Sequence, residues 1–168
     1  MKARKVMLLG EIGVGKTSIV NRLVFDRFEM SYKPTLNVDV YRYEVPPGPG
    51  REAMALIVWD TDGNFGEAIF KHKYMREASA AVIIGDVTRP QPLETLAALA
   101  DGFRDAMPGR VMSLVLNKLD LFPAGEDLYI PASLKRPGLQ LYRTSAKTGS
   151  NVQTVFADTA DGIERRKL

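Results

Sequence analysis

Apolar and polar positions in this chain follow two rhythms. Short runs rich in aliphatic residues, Lys5–Gly10, Val38–Val45, Met54–Asp60, Ala80–Asp86, Val111–Asn117 and Leu139–Arg143, read as strands. Between them lie stretches with helical spacing that begin near Lys16, Glu67, Pro92 and Ser150. In the last, Val152, Val155, Phe156, Ala160 and Ile163 recur three to four residues apart, which predicts one buried stripe. This alternation predicts an α/β fold, a mostly parallel sheet covered by helices. Pro46-Pro47-Gly48-Pro49-Gly50 places tight-turn residues between the second and third strands, so that pair is predicted to be antiparallel. Residues 121–138 carry three prolines and two glycines and leave room for one short helix at most.

Composition narrows the class. A length of 168 residues fits a single domain over 1–168, and 45% apolar with 26% charged residues is an ordinary folded mixture. Apolar runs such as 80–85 fall far short of the ~18–20 residues that span a bilayer, and the residues after Met1 lead to the expectation of no secretory leader. With no cysteine there is no disulfide scaffold, thiolate nucleophile or lipidated cysteine, so the chain is expected to be cytoplasmic and without a lipid anchor. A net charge of +3 is too mild to imply nucleic acid, which requires clustered charge. The single histidine, His72, lies between two lysines and is read as a solvated surface residue, which removes histidine-based triads and metal sites.

The chemistry lies in the loops that follow the strands. Gly10-Glu11-Ile12-Gly13-Val14-Gly15-Lys16-Thr17 fits G-x-x-x-x-G-K-[ST], directly after an apolar run and opening a helical pattern. Glycines let successive N–H groups converge on an anion, and the helix adds its positive end. Lys16 is expected to reach the β- and γ-phosphates and Thr17 to hold Mg²⁺; the alternative is a plain glycine-rich turn. Asp60 ends the third strand and suits Mg²⁺ through water, with the Gly63 N–H near the γ-phosphate, although strand-ending aspartates are also common caps. Asn117-Lys118-Leu119-Asp120 follows the fifth strand. The Asp120 carboxylate can accept from N1–H and the exocyclic amine of guanine, and adenine offers neither. Asn117 can donate to N7, and Ser145-Ala146-Lys147 can supply backbone donors to O6. Each tetrapeptide alone could be a cap or turn; their order, each at the carboxyl end of a strand, is what ligand binding across an open α/β sheet requires.

With these motifs in place, the chain resembles a Ras/Rab-type small GTPase from about residue 4 to residue 165. The resemblance implies a P-loop NTPase three-layer sandwich with a six-stranded sheet, one strand antiparallel, and about five helices, the fourth shortened or absent across 121–138. It implies a switch that binds GTP or GDP with Mg²⁺ and hydrolyses GTP. The nucleotide-binding set is Gly13, Val14, Gly15, Lys16, Thr17, Ser18, Phe28, Asn117, Lys118, Asp120, Ser145, Ala146 and Lys147. Thr17, Thr35 and Asp60 would hold the metal, and Lys16, Thr35, Gly63 and Asn64 would serve hydrolysis. Tyr32-Lys33-Pro34-Thr35 falls in a first switch and residues 60–76 form a second. Effector, exchange-factor and activating proteins would meet a monomer through 28–38 and 60–76.

The departures from the family pattern concentrate in one place. Where relatives usually read Asp-Thr-Ala-Gly-Gln-Glu, this chain reads Asp60-Thr61-Asp62-Gly63-Asn64-Phe65. Asn64 is one methylene shorter than the usual glutamine, Ile12 replaces a glycine common among relatives, and Asp62 adds negative charge near the γ-phosphate. A misplacement of ~1 Å can cost ~10²-fold in rate, so slow intrinsic hydrolysis is expected. The alternatives are that local backbone shifts let Asn64 work normally, or that the chain is a nucleotide-binding scaffold with negligible turnover.

Overall fold

The computed structural model describes residues 1–28, 38–123, 125–128, 130–135 and 139–168, with the backbone alone at 90–92. Six strands form one sheet: β1 (Lys2–Gly10), β2 (Val38–Val45), β3 (Met54–Thr61), β4 (Ala80–Asp86), β5 (Val111–Asn117) and β6 (Gln140–Arg143), in the order β2-β3-β1-β4-β5-β6. Only β2 runs antiparallel, paired with β3 from Val38↔Thr61 to Val45↔Met54. The predicted hairpin is closed by a bridge between Gly48 and Arg51. Both faces of β4 and of the Val6–Gly10 half of β1 are covered, which is why those stretches read as near-continuous apolar runs. β2, at the edge, is exposed or half-buried from Val38 to Glu44 and ends in buried Val45.

Alternation along β1 sends Val6 and Leu8 into one core and Met7 and Leu9 into the other. The first core lies under α1 (Lys16–Phe25) and α3 (Val152–Arg166), with Val152, Val155, Phe156, Ala160 and Ile163 forming the predicted stripe. The second lies under α2 (Pro90–Ala106), where Leu96, Leu99 and Phe103 pack on Ile83 and Leu114. Phe103 and Phe156 are wholly buried, and truncating either to alanine costs about 3–5 kcal/mol. A nearly buried Arg51 donates to Asp161 at 2.6 Å and ties the β2–β3 hairpin to α3.

The helix expected near Glu67 is instead a run of 3-10 turns over Gly63–Lys71, interrupted at Gly66 (φ 49°, ψ −136°), followed by a further turn at Lys73–Met75. Its apolar spacing is helical, but Gly66 adopts a conformation that breaks the α hydrogen-bond ladder. The described residues thus contain three α-helices, with 3-10 turns where the remaining helices were expected. In 119–135 the described structure consists of short 3-10 turns at Leu119–Leu121 and Ala132–Leu134, in keeping with the proline content.

Candidate functional site

Because β1, β3, β4, β5 and β6 are parallel, their carboxyl ends share one rim. Register sets Leu8 opposite Asp60, Gly10 opposite Ile84 and Asp86 opposite Asn117. Strand order reverses at β1, so the loop leaving it opens at the crevice where such sheets bind ligands.

That loop is Gly10–Thr17. Gly13 (φ 81°) and Gly15 (φ 100°) are left-handed, and a Cβ at Gly15 would lie 2.4 Å from the Asn117 amide nitrogen. Helix α1 starts at Lys16 without a side-chain cap and with no acid in its first turn, so its positive end faces the loop. Lys16 is buried, and its Nζ donates to the carbonyls of Gly10 at 3.0 Å and Glu11 at 3.3 Å. Desolvation pushes its pKa down, while Asp60, Asp62 and Glu11 pull the other way. Val14 is wholly buried, and Ser18 is half-buried in the first turn of α1.

Facing this loop, the Thr17 hydroxyl donates to Asp60 Oδ2 at 2.7 Å, and Asp60 is wholly buried. Gly63 presses on the loop so closely that a Cβ there would lie 2.6 Å from the Ile12 nitrogen. Asp62 caps the 3-10 turn, accepting from the Asn64 N–H at 2.8 Å, and leaves the Asn64 side chain in solvent.

On the base side, Asn117 is buried and bonded through both its amide nitrogen and its carbonyl. Its amide donates to the Val14 carbonyl at 3.0 Å, and its carbonyl accepts from Thr144 Oγ1 at 2.9 Å and the Ala146 N–H at 3.3 Å. The Ser145 hydroxyl donates to Asp120 Oδ1 at 2.7 Å. Lys118, at φ 66°, donates to the Gly13 carbonyl at 2.6 Å. Phe28 packs, partly buried, on the core cluster that contains Val14 and Ala146. Val14, Asn117, Lys118, Asp120, Ser145 and Ala146 are thereby brought into one connected network.

Several expectations require adjustment. Asp120 and Lys147 are exposed, so Asp120 is a buried charge only if a bound base covers it. Thr35 and the rest of Tyr32–Thr35 lie outside the described residues. His72 is not a solvated residue: it is half-buried, its ring centroid 4.1 Å from that of Tyr74, and its Nδ1 accepts from the Tyr74 N–H at 3.2 Å. Phe65 packs on it as well, Trp59 packs on Tyr74, and the Lys5 ammonium lies 3.8 Å from the Trp59 ring centroid. Most of the aromatic residues of 60–76 are therefore held in packing contacts.

Sequence reasoning missed Asp86. It is buried at the end of β4, where its carboxylate accepts from the Thr88 N–H at 2.8 Å and from Arg89 Nε at 3.2 Å. It also pairs with Lys118 Nζ at 3.0 Å. Burial disfavours its ionised form, but hydrogen bonds from Thr88 and Lys118 and the Lys118 charge outweigh that and hold the carboxyl below its usual range. The sequence signal was limited to two apolar runs that end in polar residues, Asp86 and Asn117; that they lie side by side is known only from the register.

A sequence profile described as Ras family matches residues 5–165. The chain belongs to the Ras family. Among its relatives, Ras-related protein Rab-31 of Rattus norvegicus is 33% identical over 165 residues, covering 96% of this chain and 82% of the relative. GTP-binding protein ypt5 of Schizosaccharomyces pombe is 32% identical over 161 residues, covering 94% and 76%. Ras-related protein RABF2b of Arabidopsis thaliana is 31% identical over 166 residues, covering 96% and 81%. Membership makes this chain a GTP-binding small GTPase in the general sense. Among the described residues, no helix is long and apolar enough to cross a membrane.

Proposed function

We propose that this Ras-family chain is a guanine-nucleotide switch that binds GDP or GTP with Mg²⁺ along the sheet rim and hydrolyses GTP slowly when alone. The observation that carries this reading is Asn117. One buried side chain fastens the Gly10–Thr17 loop, through Val14, to the 144–146 loop, so the two candidate contact regions for phosphate and base are positioned against each other. Bound guanine would place its N1–H and amine on Asp120, a pairing that adenine cannot make.

The donor chemistry near Thr17 and Asp60 fits Mg²⁺. Both offer hard oxygen, and among the described residues no cluster of three or more His, Cys, Asp or Glu competes as a metal cage. Phosphate oxygens and water would supply the remaining ligands, as this ion prefers. Thr17, Asp60 through water, and Thr35 would hold the metal, whose contribution is to neutralise charge on the β- and γ-phosphates.

Lys16 supplies a buried cation beside the phosphates, and their charge would restore the pKa that burial lowers. Gly63 lies against the loop, and its N–H would serve a γ-phosphate oxygen. Asn64 would orient the attacking water, but it is a methylene short. Asp62 holds the backbone of Asn64 while placing a negative charge where negative charge develops in the reaction. Activating proteins, meeting the chain through 60–76, would supply or reposition the missing groups; effectors and exchange factors would use 28–38 as well. The chain acts as a cytoplasmic monomer and a single domain.

The second reading, a scaffold that holds nucleotide without turnover, is favoured by the solvent-facing Asn64 and the Asp62 cap. Extracting the co-purifying nucleotide and following phosphate release from GTP in a single turnover separates the two. Guanine nucleotide with slow, measurable release supports the switch. Guanine nucleotide with no release supports the scaffold, and adenine nucleotide contradicts both.

A further inference from the structure

We propose that Arg22 is a positioning residue for base recognition, fastening the 146–147 backbone to helix α1 and thereby setting how long guanine nucleotide stays bound. The inference rests on the reading that residues 145–147 face the base.

Arg22 lies in the helix that starts at Lys16 and Thr17, but its guanidinium reaches across to the 146–147 loop. Nε donates to the Ala146 carbonyl at 2.8 Å and Nη2 to the Lys147 carbonyl at 2.5 Å. A planar fork can hold two successive carbonyls at once, which a lysine ammonium cannot do in a fixed direction. The stem is packed as well, with Cδ 3.4 Å from where a Gly149 Cβ would lie, and Gly149 at φ 85° lets the loop close over it. The remaining nitrogen, Nη1, pairs at 3.1 Å with Asp26, whose side chain is 91% exposed, so solvent screens that contact and the carbonyl bonds dominate.

The functional consequence follows from peptide geometry. In a planar trans peptide the C=O and the following N–H point in opposite directions. Drawing the Ala146 carbonyl onto Arg22 therefore turns the Lys147 N–H away from α1. The next unit behaves the same way: the Lys147 carbonyl is held by Arg22, and the Thr148 N–H points back to the Ser145 hydroxyl at 3.1 Å. Ser145 in turn donates to Asp120, and the Ala146 N–H to Asn117. The loop is gripped by α1 through its carbonyls and by the 117–120 segment through its donors. The same helix whose N-terminus meets the phosphates thus sets the orientation of the donors for the purine 6-position.

The test uses Arg22→Met, which keeps stem length and removes every donor, and Arg22→Lys, which keeps the charge but not the fork. GDP and 6-thio-GDP are competed against fluorescently labelled GDP. The sulfur analogue retains the groups that face Asp120 and weakens only the 6-position acceptor. Arg22→Met is expected to weaken GDP about tenfold and to weaken 6-thio-GDP much less, with Arg22→Lys in between. Should Arg22→Met fail to fold, the same comparison is made with Arg22→Lys. Unchanged GDP affinity, or equal loss for GDP and 6-thio-GDP, overturns the proposal, because equal loss is what a purely structural arginine would give. If the unaltered chain binds neither nucleotide, the proposed function fails first and takes this inference with it.

Discussion

Asn117 and Thr144 are shielded from solvent and joined to each other, to Val14 and to Ala146 by hydrogen bonds between separate loops. Residues 62–75, by contrast, turn through successive 3-10 segments, break at Gly66 and leave Asn64 in water. The first region is cross-linked over long sequence separations and preorganised. The second is capped by Asp62 and stacked locally through Phe65, His72 and Tyr74, and it reaches the core through buried Ile69 and Met75 rather than through hydrogen bonds between loops. Preorganised polar groups favour selective binding, while locally held turns can rearrange at small cost. The departures that bear on hydrolysis, Asp62 and Asn64, fall in the second region, and Ile12 lies directly against it. Recognition and turnover are therefore expected to respond to different substitutions.

The largest effect should come from the base side. Asp120→Asn exchanges an acceptor for a donor and should weaken GDP by roughly 10²-fold or more while improving XDP. Competition binding measures both, and retained guanine preference would show that Asp120 does not face the base. Next in size, Asn64→Gln should raise single-turnover phosphate release by about 10–10²-fold with little change in GDP affinity. A rate equal to that of the unaltered chain would move the defect elsewhere, to Ile12 or Asp62.

Asp62→Ala removes both a cap and a charge. It should cost about 1 kcal/mol in urea unfolding and raise the ratio of GTP to GDP affinity several-fold, because the side chain lies in the field of Lys16. Stability loss without a change in that ratio would leave Asp62 as a cap alone.

The smallest effect concerns Asp86 and pH. Its folded pKa is depressed below 3.8, so its stabilising contribution is present above that value and lost as pH falls through the folded pKa. The advantage of the unaltered chain over Asp86→Asn should therefore be full near neutrality and shrink in strong acid, as read from unfolding midpoints. A constant advantage across that range would mean that the Asp86 charge contributes nothing.

The strands were legible because burial on both faces writes an unbroken apolar run, and the hairpin because Pro46–Gly50 cannot continue a ladder. The 63–71 segment was misread because apolar spacing cannot register a single glycine at positive φ, which makes 3-10 turns of an expected helix. Gly10–Thr17 and Asn117–Asp120 were legible because consecutive residues carry their chemistry. Asp86 with Lys118 and Arg22 with the 146–147 carbonyls were not, because each pair meets only through sheet register or helix packing. The packed setting of His72 was equally hidden, since its lysine neighbours describe the chain and not the fold.

The most direct test is calorimetric titration of nucleotide-stripped protein with GDP and, separately, ADP in the presence of Mg²⁺. Tight binding of GDP with at least ~10³-fold discrimination against ADP is the predicted result. Comparable affinity for the two, or heat from neither, would contradict the account.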